Sequence, residues 1–252
     1  MRATGSAFQA GAATDVGKVR RRNEDNYLVA TERGVWAVAD GMGGHEAGDV
    51  ASRLVIEELQ RIAAPTSAAD LVASCEARLA GANDRLKEIA WERGGVLIGT
   101  TVAVLLAYDD VYACVWAGDS RIYRIRDGAI LQLTVDHTEV QELVAAGRLT
   151  AAQARISPRR NVVTRAIGVY EHPELETVSA ALKPGDIFVI CSDGLTAHVE
   201  DAEILAVAAR NTPQRACDLL VARTLDRGAS DNVTVVSVRF DPAALHPRGG
   251  VA

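Results

Sequence analysis

Four aspartates stand directly beside apolar runs that have the composition of buried strands. They are Asp40 after residues 35–39, Asp119 after VYACVWAG, Asp193 after IFVICS, and Asp231 directly before NVTVVSV. Loops on a rigid scaffold are where catalytic groups are usually placed. If the fold gathers these carboxylates, they cannot all stay ionised without cations, and hard divalent ions take oxygen ligands. The alternative is four unrelated turn residues, because Asp and Gly are favoured in turns.

Metal-assisted chemistry on phosphorus accounts for more of these residues than any other reaction. Two divalent ions held by carboxylates can share a water, lower its pKa and direct it at a phosphorus atom. Glycines follow Asp40 in DGMGG and would let a backbone carbonyl approach an ion. Glu24 and Asp25 add oxygen donors, and a nearby arginine would bind phosphate oxygens in bidentate fashion.

Two other site types fit poorly. GMGGHEAG follows an apolar run and precedes a helical pattern, as a dinucleotide-binding loop does, but GxGxxG requires glycine where the chain has Glu46. No GxxxxGK[ST] occurs. The chain also lacks GxSxG, and Ser120 in GDSR is flanked like a turn residue.

Composition is that of a globular protein with an acidic balance. The 252 residues are 48% hydrophobic and 24% charged, and 27 basic against 33 acidic residues give a net charge of −6. We therefore expect no nucleic-acid partner. No apolar run reaches the roughly 20 residues of a membrane span, and the N-terminus lacks a secretory core. The four cysteines form no CxxC pair and are expected to be reduced core thiols. We expect a cytoplasmic monomer.

Hydrophobic periodicity predicts strands at both ends of the chain and around two pairs of helices. Predicted strands cover 6–14 (an edge strand), 27–31, 35–39, 101–107, 111–117, 121–126, 129–133, 175–180, 187–191 and 233–240. Predicted helices cover the stretch from Gly44 to about 64, then 71–89, 201–209 and 212–227. Short connections such as Asp127–Gly128 require antiparallel pairing. The order suggests helices on the outer faces of packed antiparallel sheets.

Six motifs together carry a family resemblance. They are RRRNED, VADGMGGHEAG, GTT (99–101), AGDSRIYRI, ICSDGL and SDNVTVV. In this order and rough spacing they resemble the PPM/PP2C family of metal-dependent protein Ser/Thr phosphatases, in its compact bacterial type. The resemblance implies an α+β fold, a four-layer αββα sandwich with two antiparallel sheets. It implies one domain over 1–252, with a core at about 8–240, a flap at about 137–160 and a loose tail at 241–252.

The resemblance also implies site residues, position by position. Asp40 would bridge two Mn²⁺ or Mg²⁺ ions and position the water between them. The remaining implied metal site comprises the Gly41 carbonyl, Glu24 at the second ion, Asp193 and Asp231 at the first ion, Asp25 in support, and Asp119 with Asp193 at a third, weaker ion. Arg20, five residues before Asp25, would bind phosphate. Asn232 would hydrogen-bond nearby or serve only as a turn residue.

One position departs from the family pattern. Some members carry a histidine just after the DG pair that protonates the leaving oxygen, and here that residue is Met42. His45 is close in sequence, but a helix-start or surface role suits it at least as well. The expected acid is a water on the third ion. In the flap, Arg155, Arg159 and Arg160 would contact acidic phosphopeptides or, as the favoured alternative, form a solvated loop.

The resemblance implies hydrolysis of phospho-Ser and phospho-Thr monoesters by in-line attack of a metal-bridging hydroxide, opposing a bacterial Ser/Thr kinase. Two alternatives remain. A regulatory phosphatase of a signalling switch protein usually carries a sensor domain, and none is evident. A catalytically inactive, phosphoprotein-binding relative would have lost metal carboxylates, whereas Glu24, Asp40, Asp193 and Asp231 are all present.

Overall fold

The computed structural model describes residues 7–43 and 47–242, in eleven strands and seven helices. The strands are β1 (Phe8–Asp15), β2 (Asp25–Ala30), β3 (Val35–Gly43), β4 (Ile98–Thr100), β5 (Val102–Tyr108), β6 (Val111–Ala117), β7 (Arg121–Arg126), β8 (Ala129–Gln132), β9 (Glu176–Ala181), β10 (Ile187–Cys191) and β11 (Val233–Phe240). The helices are α1 (Ala47–Gln60), α2 (Ala68–Glu92), α3 (Glu139–Ala145), α4 (Ala151–Ile156), α5 (Asp193–Thr196), α6 (Asp201–Ala208) and α7 (Pro213–Asp226).

The strands form two antiparallel sheets, which pack face to face between two helical layers. One sheet has the order β1-β11-β10-β7-β8, and the other has the order β2-β3-β5-β6-β9 with β4 paired to β3. One hydrophobic cluster lies between the sheets, a second lies under α1 and α2, and a third lies under α5, α6 and α7. The predicted αββα sandwich is confirmed.

The continuous apolar run before Asp40 is explained by burial on both faces of β3. Val35 and Ala37 pack toward α1 and α2, whereas Trp36 and Val38 pack between the sheets. A strand covered on both faces shows no polar alternation. The chain therefore delivers Asp40 from the rigid centre of the molecule.

The sequence predicted that this strand ends at Ala39, but β3 continues through Asp40 to Gly43. Residues 41–43 pair with β4, a strand that the sequence did not predict because Gly99 and two preceding glycines interrupt the apolar pattern. Helix α5 was also missed, because its four residues are too few to show a helical period.

Helix α1 ends at Gln60, four residues before the predicted end near 64. Arg61 N–H and Ile62 N–H bond three residues back, to Glu58 O and Leu59 O, so the last turn tightens. The Arg33 guanidinium donates to Gln60 O and to Ile62 O, which satisfies carbonyls that the helix end exposes.

Other expectations are met. Strand β1 lies at the edge of its sheet, as predicted. Pro213 is the first residue of α7, and Thr212 precedes it at the N-cap position without a side-chain hydrogen bond to the helix. All four cysteines are buried free thiols. In the part of the chain that the structure describes, no helix is both long and apolar enough to cross a membrane. His45 and most of the predicted tail, residues 243–252, lie outside the described residues.

The Arg126–Asp186 pair should be the most stabilising ion pair of the fold. The Asp186 side chain has no exposed surface; it accepts from Arg126 at 2.6 Å twice and from Lys183 N–H at 2.8 Å. Asp186→Ala leaves a guanidinium that is 16% exposed without its partner, so we expect a loss of about 3–5 kcal/mol in urea unfolding.

The control is the exposed Arg85–Glu88 pair, whose side chains are 54% and 62% exposed. Glu88→Ala should change the free energy of unfolding only within the small range typical of an exposed ion pair. If Asp186→Ala falls within the same small range, the buried pair does not stabilise the fold as argued.

Candidate active site

One cleft of about 260 Å³ collects the aspartates that the sequence singled out. Asp40, Asp119, Asp193 and Asp231 all line it, although they come from four separate segments. The other lining residues are Arg20, Glu24, Gly41, Met42, Gly43, Thr101, Asn161, Val163 and Asn232. The interpretation of four unrelated turn residues is therefore wrong.

Hydrogen bonds with Thr100 and Thr101 hold both the N–H and the carbonyl of Asp40, at the point where the partner of β3 changes from β5 to β4. Thr101 N–H and Thr100 Oγ1 donate to Asp40 O at 2.8 and 2.9 Å. Asp40 N–H donates to Thr101 Oγ1 at 3.2 Å. Because Thr101 Oγ1 accepts this bond, its own proton can go to Ser120 Oγ, 2.8 Å away. One hydroxyl thus connects Asp40 to the turn that carries Asp119.

Two close backbone approaches bring the remaining segments together. At Gly194, beside Asp193, an added Cβ would lie 1.9 Å from Asn232 O, so only glycine lets α5 begin against the start of β11. At Gly41, an added Cβ would lie 2.1 Å from Gly48 O and 2.7 Å from Glu24 O. The sequence assigned this glycine to the approach of an ion, and the structure shows that it also admits α1 and the Glu24 backbone.

The Asn232 side chain holds the N-terminal polar segment against the cleft. Its Oδ1 accepts from Glu24 N–H at 2.8 Å, and its Nδ2 donates to Val16 O at 2.9 Å and Arg22 O at 2.8 Å. These three bonds fix the stretch that carries Arg20 and Glu24. Asn232 therefore forms the hydrogen bonds that the sequence left open beside a turn role.

Arg20 lies at the rim of the cleft, with its side chain 56% exposed. Its Nη2 donates to Asp231 Oδ2 at 2.7 Å, and this bond raises the pKa of the guanidinium. The charges of Glu24 and Asp40, which also line the cleft, act on this guanidinium in the same direction. The predicted phosphate-binding arginine is therefore in reach of the predicted metal site.

Burial and mutual repulsion raise the pKa values of three carboxyl groups that line this cleft. Burial first, and then repulsion from Asp25 and Asp193, raise the pKa of Asp40 well above its usual range. Burial, followed by the charge of Asp193, raises the pKa of Asp119 to about 8, and burial with repulsion from Asp231 raises that of Asp193 to about 6. Anions placed this way need a cation among them.

Asp25 lies behind the cleft, opposite Asp40 in the β2–β3 register, and does not line it. Burial raises its pKa to about 7. Ser192 Oγ donates to Asp25 Oδ2 at 2.7 Å, while Oδ1 is buried without a hydrogen-bond partner. This orphaned oxygen and the all-oxygen donor set fit a hard divalent cation.

These oxygen donors suit an ion that keeps part of its hydration shell. Over residues 7–43 and 47–242, no three His, Cys, Asp or Glu side chains are grouped so as to hold one ion by themselves. Mg²⁺ and similar ions commonly keep several waters and use only one or two protein carboxylates. The carboxylates of the cleft suit that mode of binding.

The sequence missed Asn161, which lies one residue beyond the predicted flap. Its Nδ2 donates to Asp193 Oδ2 at 3.2 Å. A single polar residue in PRRNVV gives no periodic or motif signal by which it could have been found. Within the flap, Arg159 is paired with Glu139, whereas Arg155 and Arg160 are exposed.

Comparison with known proteins identifies the family and several relatives of this chain. Residues 15–233 match the family model described as Protein phosphatase 2C. The Serine/threonine protein phosphatase PstP of Mycobacterium tuberculosis is 37% identical over 226 residues, which are 89% of this chain and 43% of PstP. The chain thus spans less than half the length of that relative.

Solved structures of related proteins share this fold. PppA, described as a key regulatory component of T6SS in Pseudomonas aeruginosa, superimposes with a TM-score of 0.86 at 41% identity, covering 93% of this chain and 98% of PppA. The catalytic domain of PstP in complex with two manganese ions gives 0.84 at 34% identity, with coverage of 93% and 98%. With a family match over most of its length and this fold, the chain belongs to the protein phosphatase 2C family.

Proposed function

We propose that the protein is a metal-dependent protein Ser/Thr phosphatase that hydrolyses phospho-Ser and phospho-Thr monoesters. The observation that carries the proposal is the meeting of Asp40, Asp119, Asp193 and Asp231 in one cleft with Arg20 at its rim. Family membership supports it, as do the names of the relatives and the two manganese ions in the PstP structure.

The proposed ion-binding residues are those that the sequence indicated. Asp40, Asp193, Asp231, the Gly41 carbonyl and Glu24 would hold two Mn²⁺ or Mg²⁺ ions, and Asp119 with Asp193 would hold a third, weaker one. Bound ions of this kind supply a water that is acidic enough to react at neutral pH, together with positive charge near the phosphoryl oxygens. Asp25, which lies opposite Asp40 in the β2–β3 register and outside the cleft, would help to position Asp40.

The chain's own residues orient the ester and move its proton. Arg20 binds the non-bridging phosphoryl oxygens, and its fork geometry fixes the phosphorus relative to Asp40. Met42 lines the cleft and has no proton to donate. The leaving oxygen therefore takes its proton from another group, and we propose a water held at Asp119.

We also propose a physiological setting. The phosphatase would act as a cytoplasmic monomer on substrates of a bacterial Ser/Thr kinase, and its buried free thiols suit a reducing compartment. The retained carboxylates favour an active enzyme over a phosphoprotein-binding relative.

Metal removal is the first test. Release of p-nitrophenol from p-nitrophenyl phosphate should require Mn²⁺ or Mg²⁺, stop in excess EDTA, and return on adding Mn²⁺, because the ions neutralise the buried carboxylates. Asp40→Asn, purified in parallel, should be inactive and controls for contaminating phosphatases. Activity that survives EDTA, or an equally active Asp40→Asn preparation, would contradict the proposal.

Arg20→Ala should lower kcat/KM for a phosphopeptide by about 10- to 100-fold, mostly through KM, because charge-assisted hydrogen bonds to phosphate are lost. Its exposed neighbour gives a matched control: Arg21→Ala should leave the kinetics unchanged. Steady-state assays at saturating Mn²⁺ measure both. A large effect at Arg21 with none at Arg20 would mean that the assignment is off by one position.

Asp119→Ala should lower phosphopeptide turnover by about 10- to 100-fold, because the water that protonates the leaving oxygen loses its holder. Asp84→Ala, an exposed aspartate on α2, is the control and should keep wild-type turnover. Single-turnover assays separate this step from product release. Full turnover in Asp119→Ala would rule out the proposed proton donor.

A further inference from the structure

We propose that His137 is a positioning residue that holds the Gly118–Asp119 turn in its active arrangement and ties that turn to the base of the flap. This inference rests on the proposed function, since it concerns how Asp119 is placed for phosphate ester hydrolysis. The sequence places residue 137 only at the start of the predicted flap.

His137 holds Gly118 through two hydrogen bonds. His137 N–H donates to Gly118 O at 3.0 Å, and Gly118 N–H donates to His137 Nδ1 at 3.1 Å. Gly118 has φ +110°, and an added Cβ would lie 2.6 Å from Thr101 Cβ. The peptide groups on both sides of this glycine are thus fixed by one residue, and Asp119 follows directly.

The imidazole is itself fixed in one neutral form. Because Nδ1 accepts from Gly118, the ring proton lies on Nε2, which is 3.3 Å from Glu176 Oε1. Arg165 Nη1 lies 3.4 Å from the same nitrogen but can only donate, so it bonds instead to Glu176 Oε1 at 2.8 Å. Burial, and then the Arg165 charge, lower the pKa of His137 despite Glu176 and Asp136.

Packing removes the ring's remaining freedom. The imidazole stacks on Trp116 with ring centres 5.9 Å apart and planes 16° apart, and the residue is 5% exposed. A buried donor such as Gly118 N–H is costly to leave unpaired. The position of the ring therefore determines the position of the turn.

The same residue joins the start of the flap to the segment that directly follows the flap. Thr164 N–H donates to His137 O at 2.8 Å, and the next pair, Thr138 and Val163, forms an isolated bridge. Val163 and Asn161 at this base line the cleft. A shift of His137 would therefore move Asp119 and one wall of the cleft together.

Two substitutions separate the acceptor at Nδ1 from the rest of the ring. In His137→Asn, the side-chain oxygen can stand near Nδ1 and accept from Gly118 N–H. In His137→Gln, the amide reaches toward Glu176 but leaves Gly118 N–H unpaired. Both variants lose the stacking on Trp116, so both melting temperatures should fall, and that of His137→Gln should fall further because Gly118 N–H is left unpaired.

Three readouts test the proposal. In His137→Gln, kcat should fall by about 10- to 100-fold on p-nitrophenyl phosphate and on a phosphopeptide alike, while His137→Asn stays within about threefold of wild type. Calorimetric Mn²⁺ titration should show the weaker binding class lost only in His137→Gln. Amide exchange of the 118–120 segment should speed up only in His137→Gln.

Equal losses in both variants would overturn the proposal, because ring packing and not the acceptor would then be decisive. A change confined to phosphopeptide KM would also overturn it, since the flap alone would be affected. If His137→Gln does not fold, His137→Asn decides alone: it must keep about a third or more of wild-type kcat. Should wild type hydrolyse neither substrate, the proposed function fails, and the exchange measurement still tests the hold on Gly118.

Discussion

Repulsion between neighbouring buried carboxylates is the constraint that the rest of the structure has to meet. Asp25, Asp40, Asp119 and Asp193 are each weakened as acids, chiefly by burial and then by one another. Side chains free to move would separate. The fold resists this by holding the backbones that carry them, so the free energy of the two-sheet core maintains a charge arrangement that is unfavourable by itself.

Threonine, asparagine and glycine residues hold these backbones in place through hydrogen bonds and close contacts with the main chain. Thr100 and Thr101 bond the peptide groups of Asp40, and Asn232 bonds three backbone groups of the N-terminal segment. Gly41 and Gly194 permit approaches that any Cβ would block. Backbone contacts position a carboxylate without using its oxygens, which stay available for cations and water. The motifs GTT and SDNVTVV therefore serve the site although few of their side chains touch it.

The flap is joined to this frame at its base, through His137 and the Thr138–Val163 bridge. Its helix α4 is mostly exposed, whereas α3 is partly buried. An exposed excursion on a rigid base can vary in sequence without disturbing the carboxylates. The segment directly after it, at Asn161 and Val163, nevertheless lines the cleft, which gives the flap a route to influence what enters.

The sequence by itself determined the fold class, most elements, and the acidic residues of the site. Apolar runs buried on both faces and an amphipathic stripe on α2 are local signals that the sequence shows directly. The order and rough spacing of the six motifs match those of the family. Tertiary structure alone decided that β3 runs through Asp40 to pair with β4 and that Asp25 lies outside the cleft. It also decided that Asn161 lines the cleft and that His137 bonds Gly118. Those outcomes depend on contacts between segments distant along the chain, such as the 2.8 Å bond from Thr101 N–H to Asp40 O, and local composition carries no signal for them.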